Sequence, residues 1–447
     1  MRAAFHTLGC KTNAYETQAI LEQFETAGYE IGDFASACDV YIINTCAVTQ
    51  EAARKSRQMT SRCKRMNPDA LVVVTGCYAQ DASEKIRTES LADIIVGNSE
   101  KSQILTIVEQ RLNQAAENIS GSTLTRVKDL TYCQEYENQK ITNQGNHVRA
   151  YVKIQDGCNR FCSYCLIPFM RGRSRSRRIE DILDEAKNLA AKGYQELVLT
   201  GIDISTFCAE QTPGEDLAML IEKLDAIEEI KRIRLGSLEL GIISEAFMKR
   251  LKKLKSFCPQ FHLSLQSGCD TVLSRMNRHY NTAEYADSVR LIRKYYENAA
   301  ITTDIITGFP GETEEEFEET IQFTKDIFFS RVHVFPYSRR EKTKADKMQG
   351  QLTKAVKEDR ARRLIAITEQ QRQDYEEKLI GTKCTILVEE VISAGNEEVP
   401  LYLAGYTPEY VRILVSPKQY QENGQDMINQ LIEVVPTAFK DGNLWAE

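Results

Sequence analysis

The chain has 447 residues, 42% of them hydrophobic and 27% charged. That is ordinary globular composition, with apolar mass for two or three domains of roughly 100–200 residues each, and it excludes a collagen, a disordered tail protein and a membrane bundle. The net charge of −7, from 57 basic against 64 acidic residues, is unevenly placed: residues 380–447 hold 4 basic and 10 acidic side chains, a net of −6, which leaves about −1 for the rest. Residues 54–65 carry six cations and no anion, residues 171–178 five arginines, and residues 331–363 eleven cations against four anions. Such local basic segments suit an anionic partner despite the acidic total. The longest apolar stretch, near 71–74, is far short of the roughly 20 residues of a spanning helix, so no membrane partner is expected. The start, Met1-Arg2-Ala3-Ala4-Phe5-His6, has no apolar signal core, and the expectation is a cytoplasmic enzyme. Thirteen cysteines beside five histidines then read as thiolates for zinc or iron–sulfur chemistry rather than as disulfides.

Taken in chain order, residues 1–115 alternate Val/Ile-rich runs (3–8, 40–44, 71–75, 93–96) with helical spacing over 13–27, 50–66, 79–87 and 101–114. Short apolar runs alternating with helices predict a doubly wound parallel α/β sheet. Residues 116–147 are polar and read as a linker with one edge hairpin. Residues 148–378 resume the alternation, with strands at 151–155, 196–200, 232–237, 261–265, 301–306 and 332–336 and helices over 179–191, 216–227, 244–254, 283–296 and 313–327, then a charged helix over 353–378. Six such strands span about 190 residues, below the roughly 250 of an eight-fold barrel, so a partial six-strand (β/α) barrel is expected. In residues 379–447, short strands at 385–390, 401–406, 410–415 and 431–436 predict a small antiparallel β-barrel.

Two cysteine constellations carry chemistry. In Gly157-Cys158-Asn159-Arg160-Phe161-Cys162-Ser163-Tyr164-Cys165, three thiolates follow the first barrel strand closely enough to face one cluster. Three ligands leave one iron of a [4Fe–4S] cube open, as a catalytic metal centre requires. The blander readings are a zinc knuckle lacking its fourth ligand, or plain buried cysteines. The place, at the C-terminal end of a barrel strand, weighs against both. The second constellation is spread out: Leu8-Gly9-Cys10, Asn44-Thr45-Cys46 and Thr75-Gly76-Cys77 each end a predicted strand. In an open α/β sheet those ends meet in one crevice. Any one of them alone reads as a core cysteine; three at the same kind of place point to a second cluster with an open iron.

Cys-x3-Cys-x-aromatic-Cys, here with Tyr164, on a six-strand barrel resembles the radical S-adenosylmethionine superfamily. The resemblance implies that the open iron of the cluster on Cys158, Cys162 and Cys165 chelates S-adenosylmethionine, and that an electron from an external one-electron donor cleaves it to a 5′-deoxyadenosyl radical. The wording Leu8-Gly9-Cys10-Lys11-Thr12-Asn13, Ile43-Asn44-Thr45-Cys46 and Val74-Thr75-Gly76-Cys77 is similar to the methylthiotransferase family, as are Ile167-Pro168, Arg171-Gly172-Arg173-Ser174-Arg175-Ser176-Arg177, His262-Leu263-Ser264-Leu265-Gln266-Ser267-Gly268, Met276-Asn277-Arg278 and the run from Asp304 to Thr313. This implies two [4Fe–4S] clusters. The one on Cys10, Cys46 and Cys77 delivers sulfur drawn from a sulfur source, a second S-adenosylmethionine gives the methyl group, and a C-terminal TRAM module binds RNA.

Within the family, Cys46-Ala47-Val48-Thr49 with Lys55-Ser56-Arg57-Gln58, Leu199-Thr200-Gly201-Ile202-Asp203 and the run from Gly405 to Arg412 resemble the class acting on N6-threonylcarbamoyladenosine in the tRNA anticodon loop. The alternatives are the classes acting on isopentenyladenosine or on a ribosomal protein aspartate, and, from another class altogether, an RNA-binding protein with structural clusters. Ile204-Ser205-Thr206-Phe207-Cys208 departs from the family's glycine-containing turn.

Gln266, Asp304, Ser237 and Glu239 stand at barrel strand ends and are expected to bind S-adenosylmethionine or substrate, or else to support residues that do. Arg173 and its neighbours in 171–178 are expected to guide phosphate or a cofactor carboxylate, with a solvated loop as the alternative. Arg54, Arg57 and Arg65 share one side of a helix and read as a phosphate strip or as a plain exposed face. Lys383, Tyr406, Tyr410 and Arg412 are candidate RNA contacts of the C-terminal module, the alternative being a stabilising appendage. Cys38, Cys63, Cys133, Cys208, Cys258, Cys269 and Cys384 read as ordinary thiols, and the scattered histidines suggest no metal set.

Overall fold

The computed structural model describes residues 1–116, 122–133, 135–145, 147–208, 214–392, 402–416 and 427–446. The first sheet is built from β1 (Arg2–Thr7), α1 (Lys11–Thr26), β2 (Glu30–Ile31), β3 (Val40–Thr45), α2 (Gln50–Met66), β4 (Leu71–Gly76), α3 (Cys77–Thr88), β5 (Ile94–Val96), α4 (Ile104–Ala116) and β6 (Leu124–Arg126). The order is β2-β1-β3-β4-β5-β6 and every pair is parallel. Its strands are continuously apolar because both faces are covered: Tyr41, Ile43, Val72 and Val74 enter one core, Val40, Ile42 and Val73 the other. β6 corrects the expected edge hairpin. Leu124–Arg126, inside the polar segment, pairs in parallel with β5 as the last strand of this sheet. Three residues are too short a run to show a period.

The central unit follows as β7 (Arg149–Lys153), β8 (Gln155–Asp156), α5 (Ile167–Arg171), β9 (Arg175–Ser176), α6 (Ile179–Ala191), β10 (Glu196–Thr200), α7 (Leu217–Asp225), β11 (Arg232–Leu235), β12 (Ser237–Leu238), α8 (Glu245–Leu251), β13 (Gln260–Leu263), α9 (Asp270–Arg275), α10 (Thr282–Tyr295), β14 (Ala300–Thr307), α11 (Glu314–Ile327), β15 (Arg331–Pro336) and α12 (Lys354–Glu377). β7, β10 and β11 form one parallel sheet and β12 to β15 a second, joined by the Ile233–Phe257 bridge. Alternate residues Val152, Leu199, Ile233, Leu263, Ile305 and Val332 pack outward with the helices in one core. The intervening positions carry Arg149, Tyr151, Lys153, Glu196, Arg234, His262, Asp304 and His333, which the two-residue period turns into the barrel lumen.

The last unit is a curled six-strand sheet of β16 (Cys384–Ile392), β17 (Tyr402–Tyr406), β18 (Arg412–Val415), β19 (Leu431–Val434), β20 (Pro436–Lys440) and β21 (Asn443–Ala446) in the order β19-β16-β17-β18-β21-β20. All its pairs are antiparallel except β18 with β21. Its apolar face, with Ile386, Leu403, Ile413 and Leu444, takes in Tyr375 of α12 and the following Leu379.

This sheet plugs the floor of the barrel. Arg232 donates to the Tyr406 and Thr385 carbonyls at 2.7 Å each, and Arg234 to the Pro408 and Thr407 carbonyls at 2.7 and 3.2 Å. The Tyr406 and Tyr410 rings stack at 4.6 Å, with the Arg149 guanidinium 5.1 and 4.8 Å from their centroids. Arg149 also pairs with Glu389 at 2.7 Å. The tyrosines expected to stack on RNA bases are therefore covered by barrel arginines. Arg412 is paired with Glu390, and Lys383 with Glu433 at 2.7 Å. Arg234→Ala strips two carbonyls and buried Glu196 of a charged donor. We expect a loss of about 2–4 kcal/mol, read as a lower melting temperature and faster proteolysis between α12 and β16.

Candidate active site

Cys10 is the N-cap of α1, Cys46 directly follows β3, and Cys77 opens α3 after β4. β1, β3 and β4 are neighbours in the sheet, so the three thiols gather at one C-terminal edge. Gly9 has φ +104°, and a Cβ on it would lie 2.9 Å from the Cys46 Cβ and 3.0 Å from its Sγ. Only glycine allows this approach of the Cys10 loop to Cys46. Burial pushes the Cys46 thiol up to about 11, and the Cys77 and Cys10 charges add to the rise.

The second trio sits on a loop sewn down at several points. Cys158 N donates to the Gly172 carbonyl at 3.0 Å, Ser163 N to that of Met276 at 2.9 Å, and Asn277 Nδ2 to that of Phe161 at 3.0 Å. Gly157, at φ +74°, passes so close to residue 173 that a Cβ would stand 1.9 Å from the Arg173 carbonyl oxygen. Each sulfur receives a donor: Arg160 N to Cys158 and Ile167 N to Cys165 at 3.4 Å, and Arg278 Nη1 to Cys162 at 3.2 Å. Such donors hold thiolates and tune clusters. Burial, then the neighbouring Cys162, pushes the Cys165 thiol up to about 12, and Cys77 raises it further. Loading iron therefore releases protons. Asn98 ties the first trio to the helix that follows the second: its Nδ2 lies 3.8 Å from Cys77 Sγ and donates to the Met170 carbonyl at 2.9 Å.

Residues 152–324 match the Radical SAM superfamily and residues 2–97 the uncharacterized protein family UPF0004. The chain is 39% identical over 432 residues to the threonylcarbamoyladenosine tRNA methylthiotransferase MtaB of Bacillus subtilis (strain 168), covering 96% of this chain and 92% of that protein. It is 39% identical to the protein of the same name from Aquifex aeolicus (strain VF5), over 93% and 100%. The tRNA-2-methylthio-N(6)-dimethylallyladenosine synthase of Caldicellulosiruptor saccharolyticus is 32% identical over 87% and 82%. The chain belongs to the radical S-adenosylmethionine methylthiotransferases. Among solved structures, the radical S-adenosylmethionine methyltransferase TsrM from Kitasatospora setae shares the fold, with a TM-score of 0.56 at 14% identity over 77% of each chain.

Each thiol trio of this methylthiotransferase is an all-sulfur donor set of three, which fits a [4Fe–4S] cluster with one iron left open. Beside Cys162 a cleft of about 260 Å³ is lined by Arg160, Glu239, Asn277, Arg278 and Tyr280 among others. Arg278 is its keystone: it holds Cys162 through Nη1, pairs with Glu239 through Nη2, and lies 3.0 Å from the Tyr280 hydroxyl. The quoted Met276-Asn277-Arg278 motif was the signal for it, but no partner in the sequence assigned it a task. Arg160 pairs with Asp203 at 2.9 Å, so the loop that departs from the family turn still meets the cluster loop.

Of the expected cofactor-binding residues, only Glu239 lines this cleft. Ser237 is exposed on β12. Gln266, at φ +75°, bridges to β14 through its backbone, its N donating to the Asp304 carbonyl at 2.9 Å. Asp304 lies in the lumen, 3.3 Å from His262 Nε2. The Arg173 guanidinium covers the Phe161 ring at 4.5 Å.

The arginine run is corrected more sharply. Arg171, Arg175 and Arg177 are 0%, 2% and 1% exposed. Arg171 pairs with Glu16 at 2.8 Å and Asp156 at 3.1 Å, and Arg177 with Glu185 at 2.5 Å. They are spent on buried ion pairs that hold the barrel to the first sheet. The histidines read as scattered are also partly gathered: His262, Asp304 and His333 present ligand atoms within 4.8 Å of one another.

Proposed function

We propose that this enzyme transfers a methylthio group to carbon 2 of N6-threonylcarbamoyladenosine at position 37, beside the anticodon of tRNA. What carries the reading is that three relatives named for that nucleoside reach 37–39% identity over 93–96% of the chain, while those named for dimethylallyladenosine stand at 31–32% over 84–87%. Cys158, Cys162 and Cys165 would hold one cluster, and Cys10, Cys46 and Cys77 the other. With S-adenosylmethionine bound they supply radical chemistry at a carbon no side chain can activate, and the sulfur to place there. The chain's own residues do the positioning. Arg278 fixes Cys162 and Glu239 together, the Phe161–Asn277 contact fixes the loop, and Asn98 keeps Cys77 against α5. An external one-electron donor and a sulfur source complete the reaction, and we place both, with the enzyme, in the cytoplasm. No described helix is long and apolar enough to cross a membrane.

The tRNA phosphates suit the basic side of α2. Arg54 and Arg57 line one groove with Arg339, Arg340 and Lys342, and continue to Arg65 on the next. Arg57→Glu with Arg65→Glu should weaken tRNA binding for every sequence alike, and lower the slope of log K against log salt by about 1 per lost contact. The function itself is tested by nucleoside mass spectrometry of tRNA from a host with and without the gene. We expect the methylthio derivative of threonylcarbamoyladenosine to vanish with the gene; unchanged nucleosides would overturn the reading.

A further inference from the structure

The two parallel sheets, β7-β10-β11 and β12 to β15, do not close the barrel: β7 and β15 are left as its edges. α1 enters this gap. Its Glu16 bonds Lys153 of β7 at 2.6 Å, and its Thr12 hydroxyl lies 3.4 Å from the Gly201 carbonyl at the end of β10. Lys11, the first residue of α1, stands beside the lumen. Its ammonium is 5.9 Å from the Tyr151 ring centroid on β7, and the inward-facing His333 stands on β15, the other edge of the barrel. Lys11 is solvent-accessible although Arg149, Arg234 and Glu196 are all near enough to act on it. Lys11 is thus an exposed side chain at the rim of the lumen.

The other lumen cations are already tied: Arg149 to Glu389 and the tyrosine pair, Arg234 to Glu196 and two carbonyls. Lys11 is different. Among the described residues no carboxylate lies within ion-pair distance of its Nζ. Across the gap His262 and His333 face Asp304, with His262 Nδ1 3.0 Å from the Thr302 hydroxyl. A cation without a carboxylate partner on one side, and two imidazoles with the Asp304 carboxylate on the other, is the chemistry that receives a polar group with an anionic end and separate hydroxyl or amide groups. It equally rejects an apolar one, which would strip water from the charge and give nothing back.

We propose that this lumen pocket binds the amino-acid substituent of the target base, Lys11 pairing with its carboxylate and His262 and His333 bonding its hydroxyl and carbonyl groups. The proposal rests on the reading of threonylcarbamoyladenosine as substrate and adds the residue that recognises it.

The test uses the full-length, iron-loaded protein under anaerobic conditions and two forms of one tRNA, with and without the threonylcarbamoyl group on A37. The quantity read is the ratio of their dissociation constants. A charged hydrogen bond predicts that the wild type prefers the modified tRNA by about 10–100-fold. Lys11→Gln should bring the ratio to within about twofold, Lys11→Arg should keep most of it, and His333→Leu should lower it severalfold. Iron content is read in parallel. If Lys11→Gln loses iron because Cys10 is adjacent, His333→Leu decides the matter in the same assay. Iron-loaded Lys11→Gln with the wild-type ratio, or in its place His333→Leu with that ratio, overturns the pocket while leaving the function intact. A wild type that neither prefers nor methylthiolates the modified tRNA overturns the function itself.

Discussion

Replacing Cys158, Cys162 and Cys165 together with alanine is expected to end methylthio transfer and 5′-deoxyadenosine release alike, and to reduce bound iron from about eight to about four atoms per chain, by ligand counting at two cubes. Replacing Cys10, Cys46 and Cys77 should remove the other four. The two variants differ in what survives. The Arg278–Glu239 cleft adjoins Cys162, and no cysteine of the first sheet lines it. The N-terminal triple variant should therefore still release 5′-deoxyadenosine under reducing conditions while transferring no sulfur. The effect on product formation is expected to exceed 10³-fold in both, as for removal of a covalent catalytic unit. Iron that stays near eight after loss of Cys10, Cys46 and Cys77 would remove the second site. Cleavage that stops with it would mean that the two trios work only as one.

The order of the elements and the places of the six thiols were legible because each depends on local signals. A buried parallel strand is a continuous apolar run, and a cysteine at its end needs no partner to be noticed; 40–44, 71–75 and their Cys46 and Cys77 show this. What was not legible depended on residues far away in the chain. The run 171–178 looks like a ligand-guiding loop until Glu16, Asp156 and Glu185 arrive to bury three of its arginines. Tyr406 and Tyr410 have the composition of a base-stacking surface until Arg149 covers them. His262 and His333 meet only through the register of β13, β14 and β15, and Lys11 reaches the lumen only through the packing of α1 on β7. β20 and β21 were missed, since each is a run of only four or five residues and their partners, each other and β18, are met only in the folded sheet.

The largest expected loss of stability comes from a single carboxylate. Glu16 is 1% exposed and accepts from Lys101, from Lys153 at 2.6 Å and from Arg171 at 2.8 and 3.1 Å. Asp156 shares Lys153 at 2.7 Å and Arg171 at 3.1 Å, with Arg175 at 3.5 Å. Four buried cations thus depend on two carboxylates. Glu16→Gln leaves one, and breaking such a pair from one side costs about 3–5 kcal/mol, a large part of a typical total of about 5–15 kcal/mol. The damage reaches the site, because Arg171 also donates to Asn13 at 2.6 Å, three residues after Cys10, and ends the helix that begins just beyond Cys165. Iron at both trios should fall with the melting temperature. Burial alone would raise the Glu16 carboxyl, but Arg171, Lys101 and Lys153 outweigh it and hold the group well below the usual range; Asp156 is likewise held down. Their contribution is therefore full above about pH 4.5 and fades as pH falls below it. Glu185 runs the other way: burial, against Arg177, leaves it raised to about 7. It favours the folded state when protonated and loses that contribution as pH climbs from about 4.5 through 7. Chemical denaturation across pH should show a maximum between these limits. In Glu16→Gln the acid limb should flatten while the limb near 7 remains; a variant that keeps the steep acid limb would show that this hub does not set it.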